Sequence, residues 1–268
     1  MYWRKRREKA EITTQKTMLD EKIKELHNDM IDLDSVKIFT YLAFFLGFVL
    51  LTLTDYYLFI VKRNWMFWSY IFLTAFFTFA SIISIRALNK FIKKLRNARD
   101  LAIREREAEK KVQKFLEDDL TEGYYLFKNI YTGYGDIDAI VVGPTGIFLI
   151  EVKSNEGLVA KNEKGYLSVI DGDSPHKNYR DQIIKETLQV KKYIDNNVPE
   201  FRSWVNPVLA FAFGSPIKDL ILDSKDDNFK IPVLNERDLL KYIYSNVQNS
   251  LTKDQVEKIA TALREWQE

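Results

Sequence analysis

The residues best suited to chemistry fall in one short stretch, Asp136-Ile137-Asp138 and Glu151-Val152-Lys153. They stand at the outer ends of two apolar, β-branched runs, Asp136–Val142 and Ile147–Lys153, joined by Gly143-Pro144-Thr145-Gly146. A Gly/Pro cluster between two such runs predicts a hairpin. Pairing Val142 with Ile147 sets Asp138 opposite Glu151 and Asp136 opposite Lys153, and strand alternation then places them all on one face. Directly opposed side chains have Cβ atoms about 4.5–5.5 Å apart. Carboxylates and an ammonium therefore converge at one end of an apolar hairpin, where burial is costly unless each charge is paired or bound to a cation. Hard oxygen ligands suit Mg²⁺ or Mn²⁺. A cation held there can activate water and offset charge developing on phosphorus. Lys153 would stand close enough to orient the attacking water or neutralise the transition state. The plain alternative is two cross-strand surface pairs. Asp138 opposite Glu151 counts against it, because like charges in that position destabilise unless a cation lies between them.

Composition narrows the chemistry further. The chain has 268 residues, a formal net charge of +2, no cysteine and two histidines, His27 and His176. Disulfides, thiolate metal sites and a cysteine nucleophile are excluded, and so is a histidine-rich metal centre. Ser215, between Gly214 and Pro216, has no histidine placed to activate it, so serine hydrolase chemistry is not supported. His176 reads as a loop residue. Carboxylates, lysine and hydroxyls remain. The near-neutral balance says little about partners.

The elements that must position these groups read as an α/β unit over residues 106–268. A helix over Arg106–Leu120 precedes a strand over Tyr124–Tyr131 and then the hairpin. Leu158–Lys161 and Tyr166–Ile170 flank Asn162-Glu163-Lys164-Gly165, a second hairpin signal, and Asp171–Pro175 is a loop. The spacing of Ile183, Ile184, Thr187, Leu188, Val190 and Ile194 predicts a helix over Asn178–Asn196. Asn206-Pro207 leads into a buried strand, Val208–Phe213; Ile231–Leu234 is a further short strand and Glu236–Val247 a helix. The last helix, Thr252–Trp266, opens on a capping box of Thr252 and Gln255.

Ahead of this unit the composition changes. Residues 1–36 open with Trp3-Arg4-Lys5-Arg6-Arg7, and Leu19, Ile23, Leu26, Met30 and Leu33 form a short coiled-coil-like helical seam. Residues 37–86 read as a transmembrane hairpin with spans at about 38–60 and 65–85, each close to the roughly 20 apolar residues a span needs. A buried helical hairpin of a soluble protein is the alternative, but Phe-rich runs with Trp and Tyr near their ends favour a bilayer. No apolar stretch follows the basic start until Ile38, so a signal peptide is not expected. Basic residues crowd before Lys37 and after Arg86, whereas the connection carries Lys62 and Arg63, which puts both termini on the cytoplasmic side. Residues 87–105 continue as a linker or stalk helix, with Leu88, Ile92, Leu95 and Ala102 along one face. It is expected to run antiparallel to residues 10–35; two independent solvated helices are the alternative.

These residues carry a resemblance. Asp138-(x)12-Glu151-x-Lys153 looks like the core of the PD-(D/E)XK nuclease superfamily. The longer run, Gly135-Asp136-Ile137-Asp138 through Val141-Val142-Gly143-Pro144-Thr145-Gly146 to Glu151-Val152-Lys153, resembles the NERD (nuclease-related) domain. The resemblance implies a restriction-endonuclease-like mixed sheet flanked by helices, preceded here by the transmembrane hairpin and stalk. It implies Asp138 and Glu151 as metal ligands with the backbone carbonyl of Val152, and Lys153 as the catalytic lysine. Glu109, followed by Val112 and Leu116, is similar to the family's glutamate helix. Asn178 and Gln182 resemble its Asn-Pro-x-x-Gln segment, with Tyr179 where the family has proline. Asp136 shares the face and is either a further ligand or the partner of Lys153. Arg180, Lys185, Lys191 and Lys192 could follow a phosphate backbone, or simply form a solvated helical face.

The expectation is a membrane-anchored nuclease on the cytoplasmic side of a bacterial membrane, using Mg²⁺ or Mn²⁺ on nucleic acid, DNA ahead of RNA. Its other partners would be the lipid bilayer and further copies of the chain through the stalk. One alternative is a non-catalytic tethered module that binds nucleic acid or protein through the same groove. Another makes the stalk an oligomerisation scaffold with the globular unit as cargo.

Overall fold

A computed structural model describes residues 18–61, 66–132, 136–161, 167–170, 179–200, 204–214, 217, 220–223, 230–246 and 249–267. Its elements, in chain order, are α1 (Met18–Val61), α2 (Met66–Asp119), β1 (Tyr125–Tyr131), β2 (Asp136–Gly143), β3 (Gly146–Lys153), β4 (Leu158–Lys161), β5 (Leu167–Ile170), α3 (Tyr179–Asn197), β6 (Val205–Phe211), β7 (Leu220–Asp223), β8 (Lys230–Asn235), α4 (Glu236–Ser245) and α5 (Lys253–Gln267). The chain divides into two compact units, one spanning Asp20–Ile103 and one built on Arg104–Glu268.

In the first unit the polar-to-apolar change near Val36 does not interrupt the helix; α1 runs straight through it. Two helices, within Asp20–Tyr57 and Ile71–Asp119, are long and apolar enough to cross a membrane, and their most apolar windows are unburied. Hydroxyls in these stretches are satisfied by their own helix: Thr40 Oγ1 donates to the Val36 carbonyl at 2.7 Å, Thr54 to Leu50 at 2.7 Å and Ser84 to Ala80 at 2.9 Å. Such back-bonding lets a hydroxyl sit where no water supplies a partner. The basic start Trp3–Arg7, residues 10–17 of the stretch expected beside the stalk helix, and the Lys62-Arg63 connection lie outside the described residues.

In the second unit the hairpin expected from the sequence is the middle of the main sheet. Val142 pairs with Ile147, as the spacing predicts, but Gly143 pairs with Gly146 too, so the turn is Pro144-Thr145 alone. Glycine is needed at both ends of it. Gly146 has φ +136°, and a Cβ at Gly143 would lie 2.0 Å from the Tyr124 ring. The order β1-β2-β3-β6-β8-β7 gives a mixed sheet, with β3, β6 and β8 parallel and the outer pairs antiparallel. Helices cover both faces, the α/β nuclease-like arrangement. Ala108, Val112 and Leu116 of α2 join Leu239 and Ile243 of α4 over Ala139, Val141, Phe148 and Ile150. Ile183, Val190 and Ile194 of α3 join Val256, Ile259 and Leu263 of α5 over Ile140, Val142, Ile147 and Leu149. β2 and β3 are thus buried on both faces, as their near-continuous apolar runs require.

The second hairpin forms β4 and β5, a separate antiparallel pair. Strand β6 begins at Val205, ahead of the expected Val208, and takes in Pro207. Proline lacks an N–H, but β6 meets β8 only from Leu209 onward, so no ladder bond is lost on that side. The short edge strand β7 was not expected at all. The capping box formed as read: Gln255 N–H donates to Thr252 Oγ1 at 3.3 Å, and Thr252 N–H to Gln255 Oε1 at 2.8 Å. The Asp171–Pro175 loop, His176 and Ser215 lie outside the described residues.

Candidate active site

The β2–β3 ladder runs from the turn to Ala139↔Ile150 and stops there. The register drawn from the sequence continued it to Asp136↔Lys153. The difference has a local cause. Asp138 Oδ2 accepts the Val152 N–H at 2.7 Å, so a side chain replaces the main-chain pairing at this point. The Asp138 carbonyl accepts Gln113 Nε2 at 2.8 Å, and the same amide donates to Asn129 Oδ1 at 3.0 Å. Asn129 has φ +53°, a left-handed conformation that asparagine tolerates better than most residues. On the other side, β3 stays in register with β6 through Lys153↔Phe211, and Ala212 N–H donates to the Lys153 carbonyl at 3.1 Å. Asp138 and Glu151 are therefore held by backbone on a rigid sheet.

Glu151 is the hub. It is 4% exposed, and its Oε1 receives both the Lys153 ammonium, in an ion pair, and Gln182 Nε2 at 2.7 Å. Its Oε2 is buried without a hydrogen-bond partner among the described residues. Gln182 Nε2 also donates to Glu186 Oε1 at 3.0 Å. Glu186 lies close enough to Glu151 for the two carboxyls to repel, and its Oε2 is buried without a hydrogen-bond partner among the described residues. Glu186 was missed in the sequence, although a signal existed. Gln182 and Glu186 lie one turn apart, each immediately before a buried position, Ile183 and Thr187. Gln113 was missed likewise, one turn beyond Glu109 beside the buried Ala108–Val112 stripe.

Burial and mutual repulsion set the electrostatics. Burial pushes the Glu109 carboxyl up to about 7, with Arg106, 3.8 Å away, opposing and Glu151 and Glu105 adding to the rise. Burial, then Glu151, pushes Glu186 up to about 8. Burial with Glu151 and Glu109 carries Asp138 well above the carboxylate range. Burial pulls Lys153 down, but Glu151 and Asp138 more than offset it and hold the ammonium above its ordinary value. Acidic groups outnumber the lysine, the raised carboxyls are biased toward the neutral form, and a cation would offset the cost of ionising them.

Of the other residues singled out, Asp136 is half-buried at the start of β2 and pairs with Tyr131 across β1. The lysine's ion pair is with Glu151, its neighbour two residues back on the same strand face. Arg180 pairs with Asp181 at 3.3 Å, Lys191 with Asp195, and Lys185 and Lys192 are exposed on α3. Gly135 and Asn178 lie outside the described residues. Among the described residues no three acidic side chains are arranged to hold one ion. The donor set expected for Mg²⁺ is smaller, one or two carboxylates with water and substrate completing it. The partnerless, buried Glu151 Oε2 fits that need.

The nuclease-related domain (NERD) matches residues 104–212, the stretch that runs from the Glu109 helix through Gln182 to the end of β6. An uncharacterized protein of Bacillus anthracis is 30% identical over 159 residues, covering 56% of this chain and 71% of that protein. No solved structure matches the chain. Through residues 104–212, which carry Glu109, Asp138, Glu151, Lys153 and Gln182, the chain belongs to the nuclease-related domain (NERD) family.

Proposed function

We propose that this protein is a metal-dependent nuclease that hydrolyses phosphodiester bonds of nucleic acid, DNA ahead of RNA. Its apolar helices would anchor it in a bacterial membrane, with the nuclease unit on the cytoplasmic side. The observation that carries the reading is Glu151, a buried carboxylate gripped on one oxygen by Lys153 and Gln182 and left partnerless on the other. Asp138, Glu151 and the Val152 carbonyl would hold Mg²⁺ or Mn²⁺. When bound, the cation supplies an activated water and stabilises charge on the phosphoryl group. The chain's own groups do the rest. Gln113 and the Val152 N–H fix Asp138. Gln182 keeps Glu151 from swinging away. Lys153 donates toward the attacking water or a phosphate oxygen, and Glu109 and Glu186 flank the pocket as carboxyls that burial biases toward holding a proton. Arg180 and Lys185 would meet the nucleic-acid backbone.

The test uses the full-length chain in detergent with plasmid and single-stranded DNA in Mn²⁺, Mg²⁺ or chelator. Glu151→Gln and Lys153→Ala are each expected to lower cleavage by about a hundredfold or more while the protein stays folded. Undiminished cleavage in both variants would overturn the reading.

One pair of contacts favours a second reading, a tethered binding module without turnover. Asp138 spends an oxygen on the Val152 N–H, and Lys153 is already committed to Glu151. Mn²⁺ binding that requires Asp138, together with cleavage, argues for the enzyme. Nucleic-acid binding that is indifferent to Mn²⁺ and to Asp138→Asn argues for the module.

A further inference from the structure

Tyr179 stands beside the site and reaches Lys153 and Asn155 at once. It opens α3 and is 7% exposed. The Lys153 Nζ lies over its ring, 5.0 Å from the centroid, and its hydroxyl donates to Asn155 Oδ1 at 3.0 Å. Asn155 follows Lys153 by two residues, so this bond fastens the segment leaving β3 to the start of α3. Lysine reaches its site on a flexible four-carbon stem, and a single ion pair leaves much of that freedom. A second, facing contact removes it. An aromatic face attracts an ammonium electrostatically and most strongly where water is excluded, as it is around this largely buried lysine.

We propose that Tyr179 is a positioning residue for Lys153, its ring face fixing the ammonium beside Glu151 and Asn155 fixing the ring. The inference rests on the reading of Lys153 as the group that meets the scissile phosphate. It assigns to Tyr179 the role of holding that group in place.

The experiment uses the full-length chain in detergent with position 179 changed to Phe, to Leu, and to phenylalanines bearing one, two and three ring fluorines. Fluorine drains electron density from the ring face while scarcely changing its volume, so the series does not depend on a variant that fails to fold. The kcat for Mn²⁺-dependent cleavage is expected to fall stepwise along the series, about three- to thirtyfold in all, with KM unchanged. Tyr179→Phe should stay well above Tyr179→Leu. A second readout needs no activity. With ¹³C-labelled lysine, the Lys153 ε-methylene signal, identified by its loss in Lys153→Ala, should be displaced upfield by the ring and lose that displacement in Tyr179→Leu. A flat kcat across the series, in a protein whose Lys153→Ala variant is inactive, overturns the proposal and leaves the nuclease reading standing. Lys153→Ala cleaving like the parent overturns both. If the parent cleaves nothing the nuclease reading fails, and the ring displacement alone then decides whether Tyr179 holds Lys153.

Discussion

Glu109 and Glu186 turn the acidic pocket into a stability device that responds to pH. Their folded-state pKa values, about 7 and about 8, stand above the ordinary 4.5 of an exposed glutamate. A carboxyl with a raised folded pKa contributes stability that is complete below its unfolded value and is lost as pH rises through the folded one. In chelator, the melting temperature should therefore fall from about pH 5 to about pH 8 and level off above that. Glu186→Gln should flatten this slope, and differential scanning fluorimetry of the full-length chain measures it. A slope unchanged in Glu186→Gln would mean the carboxyl does not titrate against Glu151. The same residue shows the limit of reading single positions. Asp138, Glu151 and Lys153 could be gathered at one end of the hairpin because the turn and the Val142↔Ile147 pairing are local properties of a dozen or so residues, although the ladder stops short of pairing Asp138 with Glu151. Glu186 could not be, because its neighbour Glu151 comes from a distant part of the chain.

Among the elements, local chemistry was the easier part to read. The capping box of α5 depends on residues three apart, and both of its hydrogen bonds are present. Thr252→Ala should cost about 1 kcal/mol and leave cleavage per folded molecule unchanged. Gln113 presents the opposite case. Its amide joins α2 to β1 and to the Asp138 carbonyl across 25 positions of sequence. Gln113→Leu should cost about 1–3 kcal/mol by leaving that buried carbonyl without its donor. It should also weaken Mn²⁺ binding, which Thr252→Ala should not; thermal melts and metal titrations on both variants separate the two effects. Strand β6 starts earlier than its sequence implies, and β7 has no counterpart in the sequence reading, for a related reason. Pro207 looked like a strand boundary until the sheet order showed that its missing N–H faces no β8 partner. Four-residue β7 has too little pattern of its own and exists through its pairing with β8.

For the whole molecule, the contrast is between an apolar helical unit and a folded α/β unit with its own two-sided core. Exposed large side chains such as Phe39, Phe45, Phe72, Phe76 and Phe79 crowd the first unit. A patch of that kind marks a surface that meets lipid or another chain. We expect the expressed chain to stay in the membrane pellet through a carbonate wash, and deletion of residues 37–86 to release it. A full-length chain recovered in the wash would shift the apolar helices to pairing with one another or with a further copy, and cross-linking over residues 18–35 would then identify the copy.

The sequence by itself determined the chemistry on offer, the hairpin that presents it and the apolar runs that flank it. Each of these depends on residue type and on spacings short enough for strand or helix period to govern. Tertiary structure decided which groups meet. The ladder stops at Ala139↔Ile150 because Asp138 takes the Val152 N–H. Gln182, Glu186 and Tyr179 reach Glu151 and Lys153 because α3 lies on that face of the sheet. Gln113 arrives on α2 at the edge of the same site. No local period encodes these meetings, since they follow from how two helices and a six-stranded sheet close around their buried residues.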